Sequence, residues 1–429
     1  MTSLPVRKTT MPLDSSSRAS RINLSDPLFW EGPREVRFEA FDVLRRELPV
    51  SFQPPPLAWA PKDFPPPRGY WAVTRYEDVR TVSRDPATFA SGQGVMLFDN
   101  LPPDIQYLND GWVGLDAPRH TRLRRLVSSA FTPKVMRSLE GWIAHEARQA
   151  IADVAGRGEC DFFADLVAPF PVAVICDMLG VPQTDRPELM RLTHIGVHFG
   201  ADAPFERSID AMRAVIDYAI GLAGERRRQP AGDLLTSLVQ AEIDGTRLSD
   251  EDVAASFWVI LTGGSDTTST TAAHSMVALG SDPAERRRLQ EGSGAIWDTA
   301  VEEMLRWATP VLDFRRTATA DVEIGGQRIA SGDNVLIFYQ SANRDESVFS
   351  DPSRFDSRRD PNPHFAFGGG GPHFCLGAAL ARLELRTFFR ALFGLLPDIE
   401  VSGDPVYLPG PFLDSVESLP CSFSPTEVA

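Results

Sequence analysis

The sequence predicts a mostly α chain with small β-sheets. Two features predict it. Segments with apolar residues at helical spacing follow one another through most of the chain, and one of them, residues 253–279, is too apolar for a surface. Strand-like runs are few and short, such as residues 70–74 and 334–339. No composition break divides the 429 residues, so a single domain over residues 26–425 is expected. A leader over residues 1–25, rich at its start in Ser, Thr, Arg and Lys, is expected to be disordered.

The elements follow in order. Residues 36–47 carry Phe38, Phe41 and Leu44 at helical spacing. Residues 54–67 hold seven prolines in fourteen positions and form an irregular, polyproline-like connection. A strand over 70–74 precedes a helix over 76–83, which Asp85-Pro86 stops. Residues 92–109 have no period and mix Met96, Leu97 and Phe98 with Gly and Pro; a long apolar loop is more often functional than idle. Asp116 is placed to cap a helix with Pro118 in its first turn, and His120 and Arg124 share one face of it. Helices over 135–155, 170–179, 187–199, 205–228 and 233–242 follow, with Gly180 and Pro182 as a stop. Ser249 and Asp252 have capping-box spacing ahead of the 253–279 helix. A shorter helix spans 297–307. Residues 322–329, then 334–339, read as a hairpin around Gly325-Gly326. A helix over 376–396 and short strands over 405–423 complete the chain.

Composition narrows the function. A formal net charge of −15 and a pI near 5.0 exclude nucleic acid and anionic membranes as general partners. Cys160, Cys176, Cys375 and Cys421 show no CxxC spacing, so neither a zinc site nor a disulfide framework is expected, and a reducing cytoplasm fits. No uninterrupted run of 18 apolar residues occurs, so no membrane anchor is expected. P-loop, GxSxG and Rossmann glycine patterns are absent, and His145-Glu146 lacks the second His of HExxH.

Two stretches carry chemistry. The middle of the 253–279 helix reads Gly263-Gly264-Ser265-Asp266-Thr267-Thr268. Two glycines and four small polar residues weaken a helix at its centre, and a local break there would be unsurprising. Asp266 and Thr267 set a carboxylate beside a hydroxyl, the parts of a proton relay or of an ordinary polar kink. In residues 364–386, four glycines at 368–371 precede Pro372, His373, Cys375 and Gly377, and helix formers begin at Ala378. Cys375 thus stands where a glycine loop becomes a helix. Glycines let a flat group lie against the backbone, and the helix N-terminus favours a thiolate over a thiol. A thiolate held against a flat group suits a haem iron; a lone cysteine is otherwise a small buried hydrophobe.

Phe367-Gly-Gly-x-Gly-x-His373-x-Cys375-x-Gly377 resembles the cysteine-ligand loop of the cytochrome P-450 family, in a longer form that some bacterial members share. Gly263-Gly264-x-Asp266-Thr267-Thr268 matches that family's oxygen-activation motif. Asp116-x-Pro118-x-His120-x-x-x-Arg124 resembles its propionate-holding helix, and Arg316-x-Ala318-x-x-Asp321 the strand whose arginine meets a propionate. Glu303-x-x-Arg306, with Phe349-x-x-Pro352-x-x-Phe355-Asp-x-x-Arg359, resembles its buried polar brace. The motifs occur in family order, and the resemblance spans about residues 26–423.

The resemblance implies a triangular α-rich prism with haem b between a long distal helix and the helix after the cysteine loop. Cys375 would ligate the iron. His120, Arg124, Arg316 and His373 would hold the propionates, with Phe367, Gly264 and Gly377 against the cofactor. Asp266 and Thr267 would deliver protons, and Glu303, Arg306 and Arg359 would serve folding. Met96, Leu97, Phe98, Val259, Gly263, Leu312, Phe314 and Phe412 are the expected pocket. The implied activity is a haem-thiolate monooxygenase, a cytoplasmic monomer fed by a ferredoxin and an NAD(P)H-dependent ferredoxin reductase. Terminal hydroxylation of methyl-branched fatty acids or isoprenoid lipids is the expected reaction. A steroid or terpene hydroxylase, a peroxide-driven hydroxylase, and a non-catalytic haem carrier or sensor are the alternatives. Arg122, Arg125, Arg382 and Arg386 offer a docking face for an acidic ferredoxin.

Overall fold

The computed structural model describes residues 17–427, apart from 61–63, 199–204, 244, 293 and 409. Residues 1–16 of the expected leader lie outside the described residues. Residues 17–25, which the composition assigns to the same leader, instead pack onto the fold. Ala19 and Leu24 are buried, Leu24 N donates to Gln53 Oε1 (2.9 Å), and Trp30 Nε1 donates to the Leu24 carbonyl (2.9 Å). Two apolar anchors are too few to show through a polar stretch.

The central helix, Asp250–Ser281, runs 32 residues, about 48 Å at 1.5 Å per residue. Ser249 and Asp252 close the expected capping box at its head. It stays helical through Gly263-Gly264, so the anticipated break does not occur. Its hydroxyls explain how small polar residues survive in a core. Thr262, Ser265, Thr267, Thr271 and Ser275 each donate to the carbonyl four residues back, at 2.7–2.8 Å. The helices Pro169–Leu179, Phe205–Arg228, Ile296–Ala308 and Ala378–Leu395 pack around it. Phe162–Leu179 is apolar and long enough to cross a membrane by composition alone; 67% of it is buried in this core.

A five-stranded sheet flanks the helices, in the order Val50–Gln53, Tyr70–Val73, Asn334–Phe338, Asp313–Ala318, Phe89–Ala90. The central pairing sets Arg316 opposite Val335. The expected hairpin at Gly325-Gly326 forms between Val322–Ile324 and Gln327–Ile329, while Asn334–Phe338 joins the large sheet instead.

Two local readings are corrected. Residues 92–109 are not all loop: Pro103–Asp110 is a helix, too short to display a period. Asp116 does not cap the Arg119–Ser128 helix; its carboxylate accepts from Ser91 N and Gly92 N, both at 2.9 Å, and ties the preceding loop to the helix entry.

Behind the cysteine loop lies an ionic cluster whose centre, Glu303 and Arg306, has no exposed surface. Glu303 accepts from Arg306 Nε and Nη2 (2.8 Å each), Arg359 Nε (3.0 Å), Asp356 N (2.9 Å) and Asn362 Nδ2 (3.0 Å). Arg306 also donates to the carbonyls of Asn343, Pro352 and Arg354, and Arg359 to those of Ser350, Asp351 and Arg354. The residues brought together are 303 to 362, so the cluster clamps an otherwise irregular segment to the helix Ile296–Ala308.

Candidate active site

A cavity of about 280 Å³ lies between the central helix and the start of the Ala378–Leu395 helix. Cys375 opens onto it from the second of these. The loop is set by Cys375 N donating to the Phe367 carbonyl (2.9 Å), and the Gly377 and Ala378 backbone N–H groups point at the sulfur. Cys375 has accessible surface, yet that surface faces the cavity, and burial pushes its thiol up. The N–H of Gly377 and the Arg124 and Arg382 cations pull it back without reversing the shift. The helix start thus favours the thiolate, as the sequence predicts, but burial outweighs it; a bound cation would invert that balance.

The glycines divide their work. Gly368 (φ +93°) and Gly377 line the cavity. A side chain at Gly369 or Gly371 would instead strike Ser83 of the Tyr76–Arg84 helix, so these two let the loop lie against that helix.

One rim of the cavity is built from hydrogen-bond donors. Arg124 and Arg316 reach it; Arg124 Nη2 also holds the Phe374 carbonyl, and the buried Arg316 donates to the Arg315 carbonyl (2.8 Å). His373 Nε2 is 3.2 Å from Ser91 Oγ, while its Nδ1 is buried without a partner. His120 lies behind it, ring centroids 4.2 Å apart, with Nε2 likewise unpartnered. Burial, with Arg316 beside His373 and Arg124 beside His120, lowers their pKa values to about 2 and about 4, so both rings are neutral near pH 7. Ser91 can then donate to His373 Nε2, which leaves an Nδ1–H free.

Sequence reasoning missed Trp112 at this rim. Its indole Nε1–H is buried and unpartnered, and Arg124 sits over its ring at 5.6 Å. Each buried unpaired group costs about 1–3 kcal/mol. Several such groups at one rim fit a pair of carboxylates, as on the propionate edge of a haem, with a sulfur ligand below. Trp112→Phe is expected to speed haem loss to an acceptor globin by about 2–10-fold, the worth of one hydrogen bond; unchanged loss would remove Trp112 from the rim.

On the opposite wall, Gly263, Gly264 and Thr267 line the cavity. Gly263 faces open space, whereas a side chain on Gly264 would meet Ile175 at 2.9 Å; the close helix packing, not the cavity, demands that glycine. Asp266 turns away from the cavity: Oδ1 lies 3.3 Å from His194 Nδ1 and Oδ2 accepts from Ser265 (3.3 Å). Glu384, also missed, lines the cavity from the Ala378–Leu395 helix and accepts from Thr268 (3.3 Å). Burial holds its carboxyl well above the usual range. Its sharing of one face with the buried Leu380 and Phe388 was the available signal.

Of the expected pocket residues, Met96, Val259, Gly263, Phe314 and Phe412 line the cavity. Leu97, Phe98 and Leu312 do not; all three are packed in the core, Phe98 against Phe205 at 4.9 Å. The expected docking arginines differ in exposure. Arg122 and Arg125 are exposed, whereas Arg382, bound to Glu302 (2.6 and 2.7 Å), and Arg386, paired with Asp298 (2.8 Å), are half-buried.

Comparison with known proteins agrees with this geometry. The family model for cytochrome P-450 matches residues 64–394. A methyl-branched lipid omega-hydroxylase of Mycobacterium tuberculosis is 39% identical over 409 residues, 94% of this chain and 95% of that protein. A steroid C26-monooxygenase of Rhodococcus jostii is 37% identical over 393 residues, 89% of this chain and 81% of that protein. A Mycobacterium marinum cytochrome P-450 solved in complex with pseudoionone superposes with a TM-score of 0.90 at 41% identity, covering 97% of this chain and all of that one.

Proposed function

The chain belongs to the cytochrome P-450 family and is a haem-thiolate monooxygenase, and on that footing we propose that it hydroxylates the end of a methyl-branched apolar chain. The observation that carries the substrate class is the wall of the cavity above Cys375: Val95, Met96, Trp258, Val259, Val311 and Phe412 leave a substrate little to bind through but its hydrocarbon. The likeness to a methyl-branched lipid omega-hydroxylase favours an acyl or isoprenoid chain. A steroid is the second reading, favoured by the likeness to a steroid C26-monooxygenase. A panel of branched fatty acids, isoprenoids and steroids, scored by the low-to-high-spin shift, separates them. A shift with steroids alone would overturn the branched-chain reading.

When bound, the haem supplies dioxygen activation and the oxidising equivalent that breaks a substrate C–H bond. In this reading Cys375 holds the iron. His373, Trp112, Arg124 and Arg316 donate to the propionates, with His120 behind them. The apolar wall excludes bulk water and leaves the terminal methyl groups as the exposed part of the substrate. Thr267 holds a proton at Oγ1 on the cavity wall, and Asp266 is its source. Electrons come from a separate redox partner. A ferredoxin with its reductase is proposed, docking where Arg122 and Arg125 remain exposed.

Thr267→Ala is expected to raise peroxide released per product formed, with NAD(P)H oxidation continuing. Unchanged coupling would end the relay role of Thr267.

A further inference from the structure

His194 and His198 stand one turn apart at the C-terminal end of the Arg186–Val197 helix, rings 4.2 Å apart. Together with Asp266 they form the His/Cys/Asp/Glu cluster found among the described residues. The two histidines are in different states. His198 is fully engaged. Its Nδ1 donates to the His194 carbonyl (2.7 Å), so in the neutral ring Nε2 can only accept, and Ser415 Oγ supplies that bond (2.7 Å). Burial first, then His194, holds the His198 pKa down to about 4. Thr270 of the central helix, 3.2 Å from Ser415 Oγ, completes a chain with no acid in it.

His194 is half-buried like His198 but has a different partner. Its side chain is 32% exposed, and Nδ1 lies against Asp266, whose side chain is 9% exposed. Ser265 Oγ is the other hydrogen-bonding side chain recorded at the Asp266 carboxylate. Neither His194 nor Asp266 lines the cavity, although Gly196 and Val197, just beyond His194, do.

Monooxygenation balances as RH + O₂ + 2 e⁻ + 2 H⁺ → ROH + H₂O, so protons must enter a buried, apolar site at every turnover. We propose that His194 is the proton inlet of the acid–alcohol pair. This rests on the reading that Asp266 feeds Thr267. Protonated His194 breaks its Nδ1–H bond as Asp266 Oδ1 forms an O–H bond. The neutral imidazole regains a proton from water at its exposed edge. Transfer also converts a charge-assisted contact into a neutral one, which loosens Asp266 from the Arg186–Val197 helix and frees the protonated carboxyl to turn toward Thr267. His194 is therefore a positioning and proton-supplying residue that acts through Asp266.

The test compares wild-type holoenzyme, with ferredoxin and reductase, against His194→Gln, Asp266→Asn and the double variant. Glutamine keeps an N–H donor but cannot shuttle a proton. His194→Gln should leave the substrate-induced spin shift unchanged. It should slow product formation toward the low end of the roughly 10²–10⁴-fold range of a positioned proton-transfer group, with a larger solvent deuterium isotope effect. Because the two residues act in series, the double variant should be no slower than Asp266→Asn. A wild-type rate and isotope effect in His194→Gln, with Asp266→Asn slow, would overturn the inlet and leave the acid–alcohol pair standing. A multiplicative loss in the double variant would overturn it too. A wild-type Asp266→Asn would instead end the underlying reading.

Discussion

Cys375→His will lose the thiolate-type, red-shifted Soret band of the reduced carbon monoxide complex, and hydroxylation with it. The position is held by the bond from Cys375 N to the Phe367 carbonyl and by the N–H groups of Gly377 and Ala378 aimed at the sulfur. A histidine there can still meet an iron, but as a neutral imidazole without the electron donation that favours O–O cleavage. Cys160 and Cys176 offer no substitute: both are buried, and burial pushes each thiol up to about 12. Cys421 is buried and shifted in the same direction. Persistence of the red-shifted band in the variant would mean that the sulfur ligand is elsewhere.

The second large effect falls on stability. Glu303→Ala removes the acceptor shared by Arg306, Arg359, Asn362 and the Asp356 N–H. Arg306 has no exposed surface, so its cation would stay buried with carbonyls alone. Breaking a buried pair from one side costs about 3–5 kcal/mol, against a total stability of about 5–15 kcal/mol for a folded domain. The expected result is little soluble holoprotein, and a lower urea midpoint in whatever is recovered. Arg359→Lys, whose partner is reached from a more open position, should cost less. A Glu303→Ala midpoint equal to wild type would show that the cluster does not hold the fold.

The motifs that proved legible are those in which a short spacing dictates a shared direction. His120 and Arg124 fall on one side of a helix because they are four residues apart, and Glu303 and Arg306 meet because they are three apart. Ser249 and Asp252 close a cap for the same reason. Each of these relations is complete within one turn, so nothing distant can undo it. The order of the motifs then identified the family, and with it the cofactor and the reaction class.

What the sequence left open is which side of an element faces the cavity. Asp266 and Thr267 are neighbours in the chain, yet successive helical residues diverge by about 100°. Thr267 looks into the cavity and Asp266 looks at His194, a pairing 72 positions apart. Leu97, Phe98 and Leu312 have the same apolar character as Met96 and Phe314, and only packing separates core from lining. The glycines at 369 and 371 seemed to serve a flat ligand and in fact make way for Ser83, nearly three hundred positions earlier. Trp112 carries no local signature of a site, and Glu384 shows only as a carboxylate on an apolar helix face; both matter because they line the same cavity and each keeps an unpartnered polar atom. The sequence by itself determined the family, the haem-thiolate chemistry and the braces behind it, because local spacing and residue type suffice for these. Only the tertiary structure decided the facing of Asp266, the make-up of the lining and the neighbours of each glycine, because contacts between distant segments set those directions.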